Sequence, residues 1–310
     1  VNPSPREPLS RSDFPGPAGR FAPSPTGDFH LGNLRTAALA WLFARSTGRA
    51  FYLRVEDLDR VRAGSEASQL ADLATAGITF DGPVLRQSEH TPRYAEALHT
   101  LESQGLTYEC FCSRREIAEA VAQAASAPNG GPGTDSVRLY PGTCRDLSDD
   151  ELARKRAESS REPAIRLRAG VSEYAVEDLL AGLHVSPVDD FVLRRNDGAF
   201  AYNLVSVVDD DFMSVDQVVR GDDLLDSAGR QAYLASLLGF QAPVYAHVPL
   251  ALNAEGRRLA KRDGPVTLAE VPNAMRVILG SLGLGPTLED ALRQFDPARL
   301  PREPWVVRPQ

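Results

Sequence analysis

Between Arg20 and Val55 the sequence passes from a short apolar run to a loop rich in proline and glycine, then to helical periodicity, then to a second apolar run. Strand, loop, helix, strand is the order that a parallel sheet with crossover helices requires. In the helix expected over Leu34 to Arg45, apolar residues at Leu34, Ala37, Ala38, Trp41 and Leu42 make one buried stripe, and Gly48 follows as a stop. The second strand, Phe51 to Val55, runs directly into Glu56-Asp57-Leu58-Asp59. Carboxylates therefore gather at the carboxyl end of a strand, the edge where open parallel sheets bind ligands.

The alternation continues with helices expected around Ala67 to Ala76 and Tyr94 to Gln104, and the pattern changes at Tyr108. The chain then divides into a flexible tail over 1–17, a first half of a Rossmann-like α/β domain over 18–108, and an insert over 109–186. A second half follows over 187–248, and a loop with a short, mainly helical C-terminal segment over 249–310. The insert holds all three cysteines and a loop, Ser126 to Ser136, dense in Gly, Pro, Asn and Ser. Glu151 to Glu162 reads as a solvated helix. Strands are expected at Phe191 to Leu193, Phe200 to Val208 and Val215 to Val219, and a helix at Ser227 to Leu238.

A chain of 310 residues buries enough core to fold without disulfides, and Cys110, Cys112 and Cys144 are odd in number and clustered, which fits a reducing cytoplasm. No window approaches the roughly 18 apolar residues of a membrane span. The net charge of -8 argues against diffuse electrostatic binding of nucleic acid and leaves room only for a local basic face.

Three constellations stand out from the residues themselves. The run from Arg20 to Asn33 leaves a strand and enters a helix N-terminus, where backbone N–H groups and the helix dipole favour phosphate. Within it His30 can donate to an oxygen that gains charge, and Gly32 lets a flat base come close. The second is Arg257-Arg258-Leu259-Ala260-Lys261-Arg262, a positive loop able to neutralise leaving phosphates. The third is Cys110-x-Cys112 with Cys144, three thiols that need a fourth ligand for closed tetrahedral zinc and have no histidine between them. Three buried free thiols are the plain alternative.

The first run, in the form RFAPSPTG, resembles the HIGH signature region of class I aminoacyl-tRNA synthetases of the glutamyl and glutaminyl branch. The second resembles their KMSKS loop, with Lys261 at the second lysine, Ala260 in place of the usual serine and Arg258 where lysine is commoner. The resemblance extends from about Gly19 to Lys261. It implies an ATP site of His30, Gly32, Asn33 and Lys261 with Mg2+, in which His30 and Lys261 are catalytic. It also implies a glutamate site of Arg20, Ala22, Ser24, Glu56, Tyr202 and Arg220. Two guanidinium groups suit the two carboxylates of glutamate, and an acidic side chain suits its ammonium.

The residues after Lys261 are too few for the long helical anticodon-binding part of a full-length glutamyl enzyme. The Cys-x-Cys and Tyr-x3-Cys pattern resembles that of the short glutamyl-queuosine tRNA(Asp) synthetase family, which implies Zn2+ held by Cys110, Cys112, Tyr140 and Cys144. Membership of that family implies a monomer that makes glutamyl-adenylate without tRNA and passes glutamate to queuosine in the anticodon of tRNA(Asp). Three alternatives stay open. They are a truncated glutamyl-tRNA synthetase charging a 3′ end, a nucleotidyltransferase of the same superfamily, and a non-catalytic RNA-binding or zinc-scaffold module.

Overall fold

The computed structural model describes residues 8–125, 139–259 and 266–307. In chain order the first half comprises β1 (Ala18–Phe21), α1 (Leu31–Ser46), β2 (Ala50–Val55), α2 (Ser65–Thr75), β3 (Leu85–Arg86) and α3 (Thr91–Ser103). Then come β4 (Thr107–Cys110), α4 (Arg114–Ala125), α5 (Asp149–Glu158), β5 (Ala164–Leu167), β6 (Glu173–Asp178), β7 (Gly182–Pro187) and β8 (Val192–Arg194). The chain continues through α6 (Tyr202–Phe212), β9 (Val215–Gly221), α7 (Leu225–Leu238), β10 (Val244–Val248), β11 (Ala251–Leu252), α8 (Ala274–Gly280), α9 (Leu288–Gln294) and β12 (Trp305–Val306).

Among the described residues the main sheet runs β3-β2-β1-β9-β10-β6-β7. It is parallel except at its β6/β7 hairpin edge. The chain builds outward from β1 through β2 and β3 on one side, and from β9 through β10 on the other. The order therefore reverses between β1 and β9, and such a switch point opens a crevice at the carboxyl ends of the strands. Arg20, Glu56 and Arg220 lie in or just after three adjacent strands at that end. A separate antiparallel sheet, β4-β5-β8, carries the cysteine-bearing segment.

Four expectations need correction. The helix α1 is buried almost all round, with Leu31, Leu34, Arg35 and every residue from Ala37 to Ala44 inside. The sheet covers one side of it while α8 and α9 cover another, and Phe43 meets Phe295 edge to face at 5.1 Å. Phe200 to Val208, read as a strand from its valines, is mostly helix. In α6 Leu204, Val205, Val208 and Phe212 recur at helical spacing into the core and Asp209 follows inward, so packing against α3 and α7 overrides β propensity. The insert expected over 109–186 does not stay apart: β6 and β7 complete the edge of the main sheet, while β8, assigned to the second half, joins the small sheet instead. Finally, residues 8–17 are not a loose tail. Phe14 has no exposed surface and packs edge to face on Tyr52 at 5.1 Å, and Tyr52 Oη donates to the Pro15 carbonyl.

The expected loop Ser126 to Ser136 lies outside the described residues, as does Lys261. Among the described residues, no helix is long and apolar enough to cross a membrane.

Candidate functional site

A cavity of about 840 Å³ opens at the switch point. Of the residues assigned to glutamate and ATP, Arg20, Ala22, Ser24, His30, Gly32, Asn33, Glu56, Tyr202 and Arg220 all line it. Arg20 and Arg220 are 4% and 5% exposed, so two cations are held almost out of water within one pocket. Arg20 is weakly paired there: its Nε donates to Asp210 Oδ1 and its Nη1 to the Val219 carbonyl, both at 3.4 Å. Such long bonds leave most of the guanidinium's donor capacity unspent.

Behind this pocket lies a buried ionic network. Arg54, next to last in β2, has no exposed surface. Its Nη1 donates to Asp210 Oδ1 at 2.5 Å and its Nη2 to Glu56 Oε1 at 3.3 Å, and its Nε lies 3.8 Å from Asp209 Oδ2. Asp209 accepts further bonds from Gln87 Nε2 at 2.8 Å and from Tyr94 Oη at 2.9 Å. Burial pushes the Asp209 carboxyl up to about 7 against the pull of Arg54. Burial also raises Glu56, again opposed first by Arg54. Asp210, facing both Arg54 and Arg20, is held below the ordinary carboxylate value even though burial acts to raise it. Sequence reasoning missed Arg54 and Asp210. The signal was present, a charged residue interrupting the apolar run Phe51 to Val55.

His30 caps α1. Its Nδ1 accepts from the Asn33 backbone N–H at 3.2 Å while Asn33 Oδ1 accepts from the His30 N–H at 3.1 Å. In the neutral ring this places the proton on Nε2, the nitrogen suited to donate to a phosphate oxygen. Gly32 is constrained by packing as well as by any base, since a Cβ there would come within 3.0 Å of Ala251 Cβ and of the His30 ring. The first residues of the positive loop are also in place. Arg258 bridges to Asp223 at 2.6 Å, and both line the cavity.

Cys110, Cys112 and Cys144 converge, with their sulfurs all within 4.8 Å of one another. Cys112 Sγ lies 3.5 Å from Cys144 Sγ, close to the roughly 3.8 Å between sulfurs sharing a tetrahedral zinc at about 2.3 Å. Tyr140 Oη is 3.4 Å from Cys110 Sγ and 3.7 Å from Cys112 Sγ, and it accepts from the Cys144 backbone N–H at 2.9 Å. The Cys110 thiol is driven down by hydrogen bonding with Cys112 and Cys144, and Cys112 is driven up by the same contact with Cys110. This donor set is compatible with zinc. A second cavity, of about 930 Å³, runs from Glu56 and Tyr202 to Phe111 and Cys112, with Arg60, Arg114, Arg161 and Arg195 among its lining.

The catalytic-domain model of class I tRNA synthetases (E and Q) matches residues 18–274. A Nocardia farcinica protein described as glutamyl-Q tRNA(Asp) synthetase is 58% identical over 300 residues, 94% of this chain and 93% of that one. One of the same description from Cutibacterium acnes is 52% identical, over 82% of this chain and 70% of that one. Among solved structures, a glutamate tRNA ligase from Elizabethkingia meningosepticum in complex with its amino acid superposes with a TM-score of 0.75 at 25% identity. That match covers 93% of this chain and 66% of the ligase, so the chain spans about two thirds of its length. With the switch-point cavity, the capped His30 turn and these similarities together, the chain belongs to the class I (E and Q) tRNA synthetase family, among the glutamyl-Q tRNA(Asp) synthetases.

Proposed function

We propose that this protein activates L-glutamate with ATP as glutamyl-adenylate and transfers the glutamyl group to queuosine in the anticodon of tRNA(Asp). The observation that carries the reading is the pair of buried arginines, Arg20 and Arg220, opening with Glu56 and Tyr202 onto the cavity that also holds the His30 turn. One guanidinium takes the side-chain carboxylate and the other the α-carboxylate, which attacks the α-phosphorus of ATP and expels pyrophosphate. Glu56 takes the ammonium, and Ala22 and Ser24 line the amino acid. His30, with Gly32 and Asn33, meets the phosphates, and Mg2+ accompanies the nucleotide. A hydroxyl of the queuosine ring then attacks the adenylate carbonyl and AMP leaves. The second cavity, lined by Arg60, Arg114, Arg161 and Arg195 together with Asp59, Glu162 and Asp197, offers room for that nucleoside.

Lys261 is assigned to neutralise the departing pyrophosphate. Lys261→Ala is expected to slow glutamate-dependent pyrophosphate exchange by roughly two orders of magnitude, about 3 kcal/mol, with little change in glutamate KM. The unaltered protein should catalyse that exchange without tRNA. Its failure to do so would remove the functional reading, and an unchanged rate in the variant would remove the role of the loop.

Zinc is assigned to Cys110, Cys112, Tyr140 and Cys144 as a structural ion, because four protein ligands leave no open position. Elemental analysis should give about one zinc per chain. A metal-free protein of full activity contradicts this, and undiminished zinc in Tyr140→Phe removes the tyrosine alone. Three cysteines with no disulfide among them fit a reducing cytoplasm.

The raised carboxyl of Glu56 gives a pH prediction. The substrate ammonium favours the ionised form, so binding expels a proton wherever free Glu56 still holds one. Glutamate affinity is therefore expected to fall as pH falls through a value above the ordinary 4.5. Calorimetry across pH should show this trend, and Glu56→Gln should bind weakly with the trend flattened. A steep dependence persisting in Glu56→Gln would assign the titration to another group.

A further inference from the structure

We infer that Asp178 and His247 form a positioning pair for Arg220, so that recognition of the amino acid depends on a carboxylate and an imidazole standing behind the guanidinium. The inference rests on the assignment of Arg220 to glutamate. Three adjacent strands make the arrangement. His247 of β10 is in register with Arg220 of β9, and Tyr245 of β10 with Asp178 at the end of β6. The side chains of His247 and Asp178 are 1% and 0% exposed.

Proton positions follow from donor chemistry. Arg220 Nε lies 2.9 Å from His247 Nε2, and a guanidinium nitrogen can only donate. His247 Nε2 must therefore accept, which puts the imidazole proton on Nδ1. That nitrogen lies 2.6 Å from Asp178 Oδ2 and donates to it. Asp178 is fixed in turn by backbone donors: Leu180 N and Ala181 N on Oδ1, each at 2.8 Å, and His247 N on Oδ2 at 3.0 Å. Burial acts to raise this carboxyl, yet the bond from His247 and the two turn amides hold it at about 2. Burial lowers His247, which keeps the ring neutral, as the acceptor role demands.

The consequence for Arg220 is geometric. Its Nη1 donates to Gln231 Oε1 at 2.7 Å and its Nη2 to the Leu224 carbonyl at 3.2 Å. With Nε given to His247, three of the five N–H groups are committed to the fold. The two that remain sit one on each terminal nitrogen. His247 thus takes the side-facing Nε–H out of play and leaves the end of the fork for a carboxylate. A neighbour that offered an N–H instead would repel the guanidinium and turn it.

The test compares His247→Leu, which removes the acceptor, with His247→Gln, whose Oε1 can accept the Arg220 Nε–H. Pyrophosphate exchange gives KM for glutamate and for ATP separately, and thermal melting checks the fold. His247→Leu is expected to raise glutamate KM by roughly tenfold or more with ATP KM within about twofold, and His247→Gln to recover most of that loss. Asp178→Asn, which sets an amide N–H among these donors, should also raise glutamate KM selectively. Leu and Gln variants that are indistinguishable, whether both unaffected or both equally impaired, overturn the inference, as does a parallel rise in both KM values. Absence of glutamate-dependent exchange in the unaltered protein overturns the functional reading and this inference together.

Discussion

Arg54→Met is expected to destabilise the protein by roughly 3–5 kcal/mol, the cost of removing one partner from a buried ionic cluster. Three carboxyls, Glu56, Asp209 and Asp210, lie within 3.8 Å or less of the Arg54 guanidinium. Arg20 bridges only to Asp210, at 3.4 Å, and among the described residues Arg54 is the one cation in an ion pair with Glu56 or Asp209. Without Arg54 the carboxyls must take up protons to stay inside. A carboxyl whose folded pKa is raised contributes stability at low pH and loses it as pH rises through that pKa. Asp209 already stands at about 7 with Arg54 present, so the deficit should be larger at pH 8 than at pH 6. Urea unfolding at both pH values measures this, and Asp210→Asn added to Arg54→Met should recover part of the loss. A deficit under about 1 kcal/mol, independent of pH, would show that the cluster does not carry the charges described.

Glutamine is expected to be activated worse than glutamate by roughly two to four orders of magnitude in kcat/KM, equivalent to about 3–5 kcal/mol. The reason lies in how Arg20 is held. Its own fold gives it two bonds of 3.4 Å in a site where it is 4% exposed, so it is a buried cation short of partners. A side-chain carboxylate completes it with two charge-assisted bonds. An amide offers one oxygen and turns an N–H toward the guanidinium. Pyrophosphate exchange with each amino acid decides the matter, and comparable activation of glutamine would remove Arg20 from the role.

The parts of this molecule that were legible in its sequence are those dictated by local pattern. β1, α1 and β2 follow from one change of hydrophobic period, and the convergence of Cys110, Cys112 and Cys144 from spacing. What escaped depends on neighbours distant in sequence. Phe200 to Val208 looks like a strand because valines favour strands, and its helix is set by packing against α3 and α7. Reading it as a strand also hid Asp209 and Asp210, whose triple-acid run has the composition of a solvated face but turns inward to Arg54. Likewise Asp178, in a segment taken for part of an insert, reaches Arg220 only because β6 joins the main sheet beside β10. A backing pair drawn from two different strands leaves no local motif.

Transfer of glutamate to queuosine is measured directly by following labelled glutamate onto tRNA by acid gel, with and without the modified base. Label is expected on tRNA(Asp) from queuosine-competent cells, and on neither tRNA(Asp) lacking queuosine nor tRNA(Glu). It should survive removal of the 3′-terminal adenosine and stay with the anticodon fragment after nuclease cleavage. Efficient charging of unmodified tRNA(Glu), with label lost along with the terminal adenosine, would contradict the account and assign the enzyme to ordinary 3′-end aminoacylation.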